Sequence, residues 1–209
     1  MSEARTRIIL WRHGETDWNR DARFQGQADI PLNAAGHAQA ARAAEVLVHT
    51  QVDALYASPL RRAQSTAQAL AHRAGLAIHL DDRLQEIHVG SWEGRTIAEV
   101  KQENPDFADA LASGHDFRRS PEGETSVESG ARMGAALLEI AAAHRGQTVV
   151  VASHGLSIRM STAHLLGWDY PTAIRLAGVP NCAWSTLGRL GGAGWRLLGW
   201  NQAVVPSGD

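Results

Sequence analysis

Two apolar runs, Ile8-Ile9-Leu10-Trp11 and Val149-Val150-Val151-Ala152, stop in the same way. The first breaks off into Arg12-His13-Gly14 and the second into Ser153-His154-Gly155. A short run that is apolar at every position must be covered on both faces, as a central strand of a parallel sheet is. Open α/β sheets bind their ligands beyond the carboxyl ends of such strands. Two central, parallel strands would therefore bring two histidines to one edge of one sheet. This constraint selects an α/β fold in which the remaining elements cover that sheet and furnish its edge.

The rest of the chain supplies suitable partners. The first strand is expected over about 7–11. Residues 20–31 are polar, punctuated by Gly26 and Pro31, and read as a loop near the strand's end. Asn33 suits an N-cap for an alanine-rich helix over 34–48. Further strands are expected at 54–58 and 77–80, separated by a helix over 60–73 that stops at Gly75. The strand–helix alternation predicts a three-layer α/β/α sandwich with a mostly parallel central sheet. Residues 84–125, with a short helix at 97–103 before Pro105 and a polar connection at 113–125, read as an excursion forming a small helical cap. A helix over 126–144 is expected to bury Val127, Ala131, Gly134, Leu138, Ala141 and Ala142. The strand 148–152 follows, then a helix over 156–166. Candidate strands at 182–187 and 195–200, either side of Gly191-Gly192-Ala193-Gly194, predict a hairpin. Residues 204–209 are expected to be loose. The whole, 1–209, reads as one domain.

With 209 residues and 44% hydrophobic content the chain can bury a full core. A formal net charge of −2 gives no global basic field for nucleic acid or an anionic membrane. The single Cys182 makes no intrachain disulfide. Residues 1–7 do not resemble a signal peptide, and no run approaches the ~18 apolar residues of a membrane span. A cytoplasmic location is the expectation, with neither nucleic acid nor membrane as partner.

Any affinity for anions must then be local. The strand ending at Ser58 is followed by Arg61 and Arg62 at the start of a helix, where free N–H groups favour an anion. Together with Arg12, His13 and His154 this makes a cation-lined corner of phosphate size. Arginine's planar fork suits phosphate oxygens. Seven more histidines, His37, His49, His72, His79, His115, His144 and His164, show no metal-ligand spacing, so no metal and no cofactor is expected.

Four motifs carry a resemblance. They are Arg12-His13-Gly14-Glu15-Thr16-x-Trp18-Asn19, Ser58-Pro59-Leu60-x-Arg62-Ala63-x-x-Thr66-Ala67, Leu84-x-Glu86-x-x-x-Gly90-x-Trp92-Glu93-Gly94, and Ser153-His154-Gly155. In this order and spacing the chain resembles the histidine phosphatase superfamily, which includes the cofactor-dependent phosphoglycerate mutases. Within it the chain is similar to actinobacterial glucosyl-3-phosphoglycerate phosphatases and broad-specificity phosphatases; Asn181-Cys182-Ala183-Trp184 and Trp195-Arg196-Leu197-x-x-Trp200-Asn201 add to that likeness. The resemblance implies that His13 is a nucleophile forming a phosphohistidine. It implies that Arg12, Arg62 and His154 hold the phosphoryl oxygens, that Asn19 adds a hydrogen bond, and that Glu86 is the general acid and then the base. Gly155 follows His154 at the phosphate. The physics is consistent: neutral imidazole is a nucleophile near pH 7, and phosphoryl transfer needs positioning and charge more than covalent help. Glu86 suits the acid's role if burial raises its pKa.

Other residues carry two readings. Gln25-Gly26 either lines the substrate side or is a plain loop. His88 either touches substrate or supports the Glu86 loop. Arg118-Arg119 either meets a second anionic group or is an exposed basic pair. Trp18 and Trp92 either wall the site or pack. The implied activity is metal-independent hydrolysis of a small phosphorylated metabolite, with glucosyl-3-phosphoglycerate as the specific candidate. Mutases of the family usually read Glu-Arg-His-Tyr-Gly where this chain has Glu86-Ile87-His88-Val89-Gly90, and they carry a longer insert. Both departures favour a phosphatase, with Arg118-Arg119 the feature that keeps a mutase in view. A non-catalytic phospho-ligand binder is weaker still, since His13 and Glu86 are both present. The C-terminal hairpin offers an edge for a homodimer.

Overall fold

The structure is a computed structural model describing residues 6–189 and 194–204. Six strands form one sheet: β1 (Thr6–Arg12), β2 (Ala54–Ala57), β3 (Ile78–Leu80), β4 (Thr148–Ser153), β5 (Trp184–Arg189) and β6 (Trp195–Gln202). Their order is β3-β2-β4-β1-β5-β6. The first four are mutually parallel, while β5 and β6 run antiparallel. The expected hairpin is present as this antiparallel pair; residues 191–193 of its turn and the tail beyond 204 lie outside the described residues.

Alternation along β1 and β4 builds the layers. Ile8, Leu10, Val149 and Val151 face one side, where they meet α6 (Ser126–Ala143) and α7 (Gly155–Leu166) through Met133, Leu137, Ile140 and Ile158. Ile9, Trp11, Val150 and Ala152 face the other. There they meet α2 (Ala34–Leu47) and α3 (Arg61–Ala74) through Ala40, Ala44, Leu47, Ala67 and Leu70. Each fully buried aliphatic side chain contributes roughly 1.5–3 kcal/mol of burial. These strands cannot be moved by one residue without exchanging the two faces.

Some expectations need correction. In α6 the buried stripe is Ser126, Ser129, Gly130, Met133, Gly134, Ala136, Leu137, Ile140 and Ala141; of the expected residues Gly134 and Ala141 are buried, whereas Val127, Leu138 and Ala142 are exposed. The stripe keeps i, i+3/i+4 spacing. It begins on two serines, so apolar spacing picked out a neighbouring face. Two short helices, α1 (Asp17–Arg20) and α8 (Tyr170–Ala173), and a longer one, α5 (Pro105–Ser113), were not expected. Pro105 opens α5 at its first turn, where its missing N–H costs nothing, and so follows α4 (Ile97–Glu103) without a loop. The 84–94 stretch is entered by a 3-10 turn at Asp82–Leu84 and contains another at Gly90–Trp92.

The excursion has a small core of its own, in which Ile87, Val89, Trp92, Val100 and Phe107 gather with Phe24, Phe117 and Leu156. Trp92 is buried there among Phe24, Phe107 and Phe117, so it packs the cap and does not wall the site. No helix among the described residues is long and apolar enough to cross a membrane.

Candidate active site

Strand register brings the histidines together. Arg12 pairs with Ser153 across β1 and β4, and the His13 amide donates to the Ser153 carbonyl at 2.9 Å. The next residues, His13 and His154, therefore leave the sheet side by side, with ring centroids 5.1 Å apart. On the far side of β4, Ala57 pairs with Ala152 and the Ser58 amide donates to Ala152 O at 3.0 Å. His13, His154 and Ser58 thus form a row along the carboxyl edge, all buried.

Hydrogen bonds fix the protons. His13 Nδ1 lies 2.7 Å from the Gly14 carbonyl. A carbonyl only accepts, so Nδ1 carries the proton and Nε2 is left with its lone pair. Burial first, then the charges of Arg62 and Arg12, hold the His13 pKa well below the ordinary imidazole value. His13 is therefore neutral near pH 7. His154 Nδ1 receives Arg62 Nε at 3.2 Å, and Arg62 cannot accept; the proton of His154 must be on Nε2, which donates to Ser58 Oγ at 2.8 Å. Burial and the charge of Arg62 hold His154 neutral as well. Both ring nitrogens of His154 are thus engaged with protein, and its closest service is to orient Arg62.

Arg62 is wholly buried at the first turn of α3. Besides His154 it binds the Ala28 carbonyl through Nη1 at 2.6 Å and the Gly26 carbonyl through Nη2 at 2.8 Å. Three of its five N–H groups are used, which leaves one on each terminal nitrogen. Desolvation brings its pKa down to about 10, so it remains a cation. Its neighbour Arg61 grips Asp29 from outside, through Nε to Oδ2 at 2.8 Å. Both arginines therefore anchor the 26–29 loop.

Arg12 donates Nη1 to Val179 O at 2.6 Å, but its buried Nε has no partner among the described residues. Gly155 lies against it: a Cβ there would stand 3.3 Å from Arg12 Nε. An unpaired buried guanidinium N–H is costly, and an anion at this point would remove the cost.

Glu86 lies against the N-terminus of α7. Its Oε1 accepts from Ser157 N at 3.0 Å and Ser157 Oγ at 2.8 Å, and its Oε2 accepts from Leu156 N at 3.2 Å. The Glu86 loop is clamped from α6 by Arg132, which donates to the carbonyls of Arg83, Gln85 and Glu86 at 2.8, 3.1 and 3.1 Å and pairs with Glu124 at 2.8 Å. His88 belongs to the same clasp: its amide donates to Glu124 Oε2 at 2.9 Å and its Nδ1 lies 2.9 Å from Glu122 O. It supports the loop.

Asn19 and Gln25 share one support. Thr16 Oγ1 lies 3.1 Å from Asn19 Oδ1 and 3.0 Å from Gln25 Oε1. Asn19 Oδ1 also accepts from Asn181 Nδ2 at 3.2 Å. With their oxygens turned to this support, the side-chain NH2 groups of both remain free among the described residues. Gly26 has φ +49° and sits against Val89 and Glu93, and its carbonyl is the one that holds Arg62. Gly14 is required by packing: a Cβ there would run into the Gly36 carbonyl of α2.

Of the Arg118-Arg119 pair only Arg118 is exposed. Arg119 is buried, 4.1 Å over the Phe117 ring, and donates to Phe117 O and Ser126 Oγ at 2.6 and 2.5 Å. Arg118 pairs with Glu128 at 2.5 Å and binds Gly123 O. Arg132 and Ser157 were not singled out by any motif, and Asn181, quoted in one, was given no role; its Nδ2 supports the His13 carbonyl and Asn19. Only their neighbours in space, not in sequence, mark them.

A neutral imidazole with a free Nε2, one wholly buried and one partly buried guanidinium with unspent donors and a carboxylate on a helix start thus share one sheet edge. The model of the histidine phosphatase superfamily (branch 1) matches residues 8–203 of the chain. The chain belongs to the histidine phosphatase superfamily. Glucosyl-3-phosphoglycerate phosphatase of Mycobacterium tuberculosis is 35% identical over 219 residues, covering 97% of each protein. A probable phosphoglycerate mutase of Yersinia enterocolitica is 34% identical over 202 residues, covering 97% of this chain and 92% of its own. Among solved structures, mycobacterial glucosyl-3-phosphoglycerate phosphatase in complex with VO3 superposes with a TM-score of 0.84 at 36% identity, covering 94% of this chain and 99% of the other. Family, α/β fold and the phosphatase class stand as the motifs implied.

Proposed function

We propose that this histidine phosphatase superfamily member hydrolyses a small phosphate monoester at His13, with glucosyl-3-phosphoglycerate as the candidate substrate. The observation that carries the site is the buried, unpartnered Arg12 Nε beside a neutral His13 whose Nε2 is free. In the first step Nε2 attacks phosphorus, the ester P–O bond breaks, and Glu86 protonates the leaving oxygen. Glu86 Oε2, with one long contact, is the oxygen with room for that proton. In the second step Glu86 takes a proton from water, whose oxygen displaces Nε2. The P–N bond breaks, and inorganic phosphate and neutral His13 are released. Arg12 and Arg62 hold the phosphoryl oxygens through their unspent N–H groups, and Asn19 and Gln25 add their amide donors. Such positioned charges account for most of the acceleration in phosphoryl transfer. His154 and Ser58 keep Arg62 in place.

Hydrolysis is favoured over mutase chemistry by the Arg118-Arg119 pair. Arg119 is buried and engaged within the cap, and Arg118, though exposed, is taken up by Glu128 and the Gly123 carbonyl, which counts against a second phosphate held by this pair. The name of the mycobacterial relatives supports the sugar-bearing phosphoglycerate as substrate. The test is phosphate release, with chelator present, from glucosyl-3-phosphoglycerate, simple sugar phosphates and 3-phosphoglycerate, the last also assayed for its 2-isomer. Release that is lost in His13→Ala is expected. Isomerisation without release would replace the reading by a mutase. A cytoplasmic location and a homodimer through β6 complete the proposal; a monomeric mass in sedimentation would remove the dimer.

A further inference from the structure

We propose that Arg159 is a second anion site of the same pocket, one that selects substrates carrying a carboxylate a few bonds from the phosphate. This rests on the phosphatase reading above and deepens it. Arg159 lies on α7, the helix whose first residues meet the chemistry: Gly155 abuts Arg12, and the Leu156 and Ser157 amides hold Glu86. Positions 155, 156 and 159 share a helix face. A long side chain on a helix lies back over the turn before its own Cα, so Arg159 covers the end of α7 that faces the site.

Its surroundings agree. Arg159 donates Nη1 to Leu176 O at 3.3 Å, and Arg12 donates Nη1 to Val179 O at 2.6 Å. One short segment therefore spaces the two arginines, with acceptors three residues apart, at most roughly 10 Å of extended chain. The Leu176 contact is the only hydrogen bond Arg159 makes among the described residues, and no acidic side chain there pairs with it. Glu86 and Tyr170 are the oxygen-bearing side chains near it. Arg119 stands nearby but is occupied within the cap. A half-buried guanidinium with most donors unspent, near the same Glu86 as Arg12, suits a bidentate carboxylate.

The test uses two esters that differ at one carbon: 3-phosphoglycerate, and glycerol 3-phosphate, in which the carboxylate is replaced by CH2OH. The wild-type protein is expected to favour 3-phosphoglycerate in kcat/KM by about 10- to 100-fold, the worth of a charge-assisted hydrogen bond. Arg159→Met should collapse that ratio toward one, with the change carried by KM, and Arg159→Lys should restore part of it. A wild-type ratio near one, or a ratio that survives Arg159→Met, overturns the subsite while leaving the phosphatase intact. If neither ester nor an aryl phosphate is hydrolysed by the wild-type protein, the phosphatase reading fails and the subsite with it.

Discussion

His13 shows how much one carbonyl decides. Because Gly14 O accepts from Nδ1, the reactive lone pair is assigned to Nε2 before any substrate arrives. Because the site is dry and cationic, the ring stays unprotonated in mild acid. The His13 imidazole signal in an NMR titration should therefore show no midpoint near 6.5 between pH 8 and 6; a midpoint there would contradict this environment. In the proposed mechanism Glu86→Gln removes the proton that the leaving oxygen needs, so turnover of alkyl phosphates should fall by roughly 10²–10⁴. An aryl phosphate with an acidic phenol needs that proton less, and its first step should suffer less; equal losses would move Glu86 out of the acid's role. These residues were legible because each sits in a motif at a strand end or loop. Arg132, Ser157 and Asn181 were not, because their importance lies in backbone carbonyls and amides they meet only after folding.

At the scale of elements, the site depends on how closely α2 approaches the His13–Glu15 loop. A Cβ on Gly36 would lie 2.1 Å from Glu15 O, with backbone atoms on both sides and no flexible side chain to yield. In an ordinary helix Gly→Ala is worth about 1 kcal/mol of stability. Here overpacking, typically ~1–3 kcal/mol and more when backbone must move, outweighs that gain. Gly36→Ala should lower the urea midpoint and reduce kcat together; a stabilised, fully active variant would show that the crossing is loose. This contact could not be read from sequence, since Gly36 looked like one more small residue in an alanine-rich helix. The strands, by contrast, were legible to within two residues: β1 and β4 because apolar runs buried on both faces leave little choice, the edge strands because glycine and proline bound them. α5 was hidden because Pro105 signals a stop and a start with equal force.

The whole molecule keeps two neutral histidines buried at one edge, and this sets its response to acid. An imidazole held below its unfolded value leaves the unfolded chain binding more protons between the two, so stability is complete above about pH 6.5 and falls below it. The slope is at most roughly 1.4 kcal/mol per histidine per pH unit. The urea midpoint at pH 5.5 should be lower than at pH 7.5, before most carboxylates titrate; an unchanged midpoint would mean that the site takes up protons while folded. The sheet's direction has a practical side as well. Trp11 pairs with Trp184, and Trp184 with Gln202, so the last strand finishes in the row where the first one reaches the histidines. Thr6 begins at the opposite edge. A fusion partner or surface tether joined beyond Val204 therefore departs from beside the pocket, whereas one joined ahead of Thr6 departs from its far side. Immobilised for use, this enzyme is best held by its beginning.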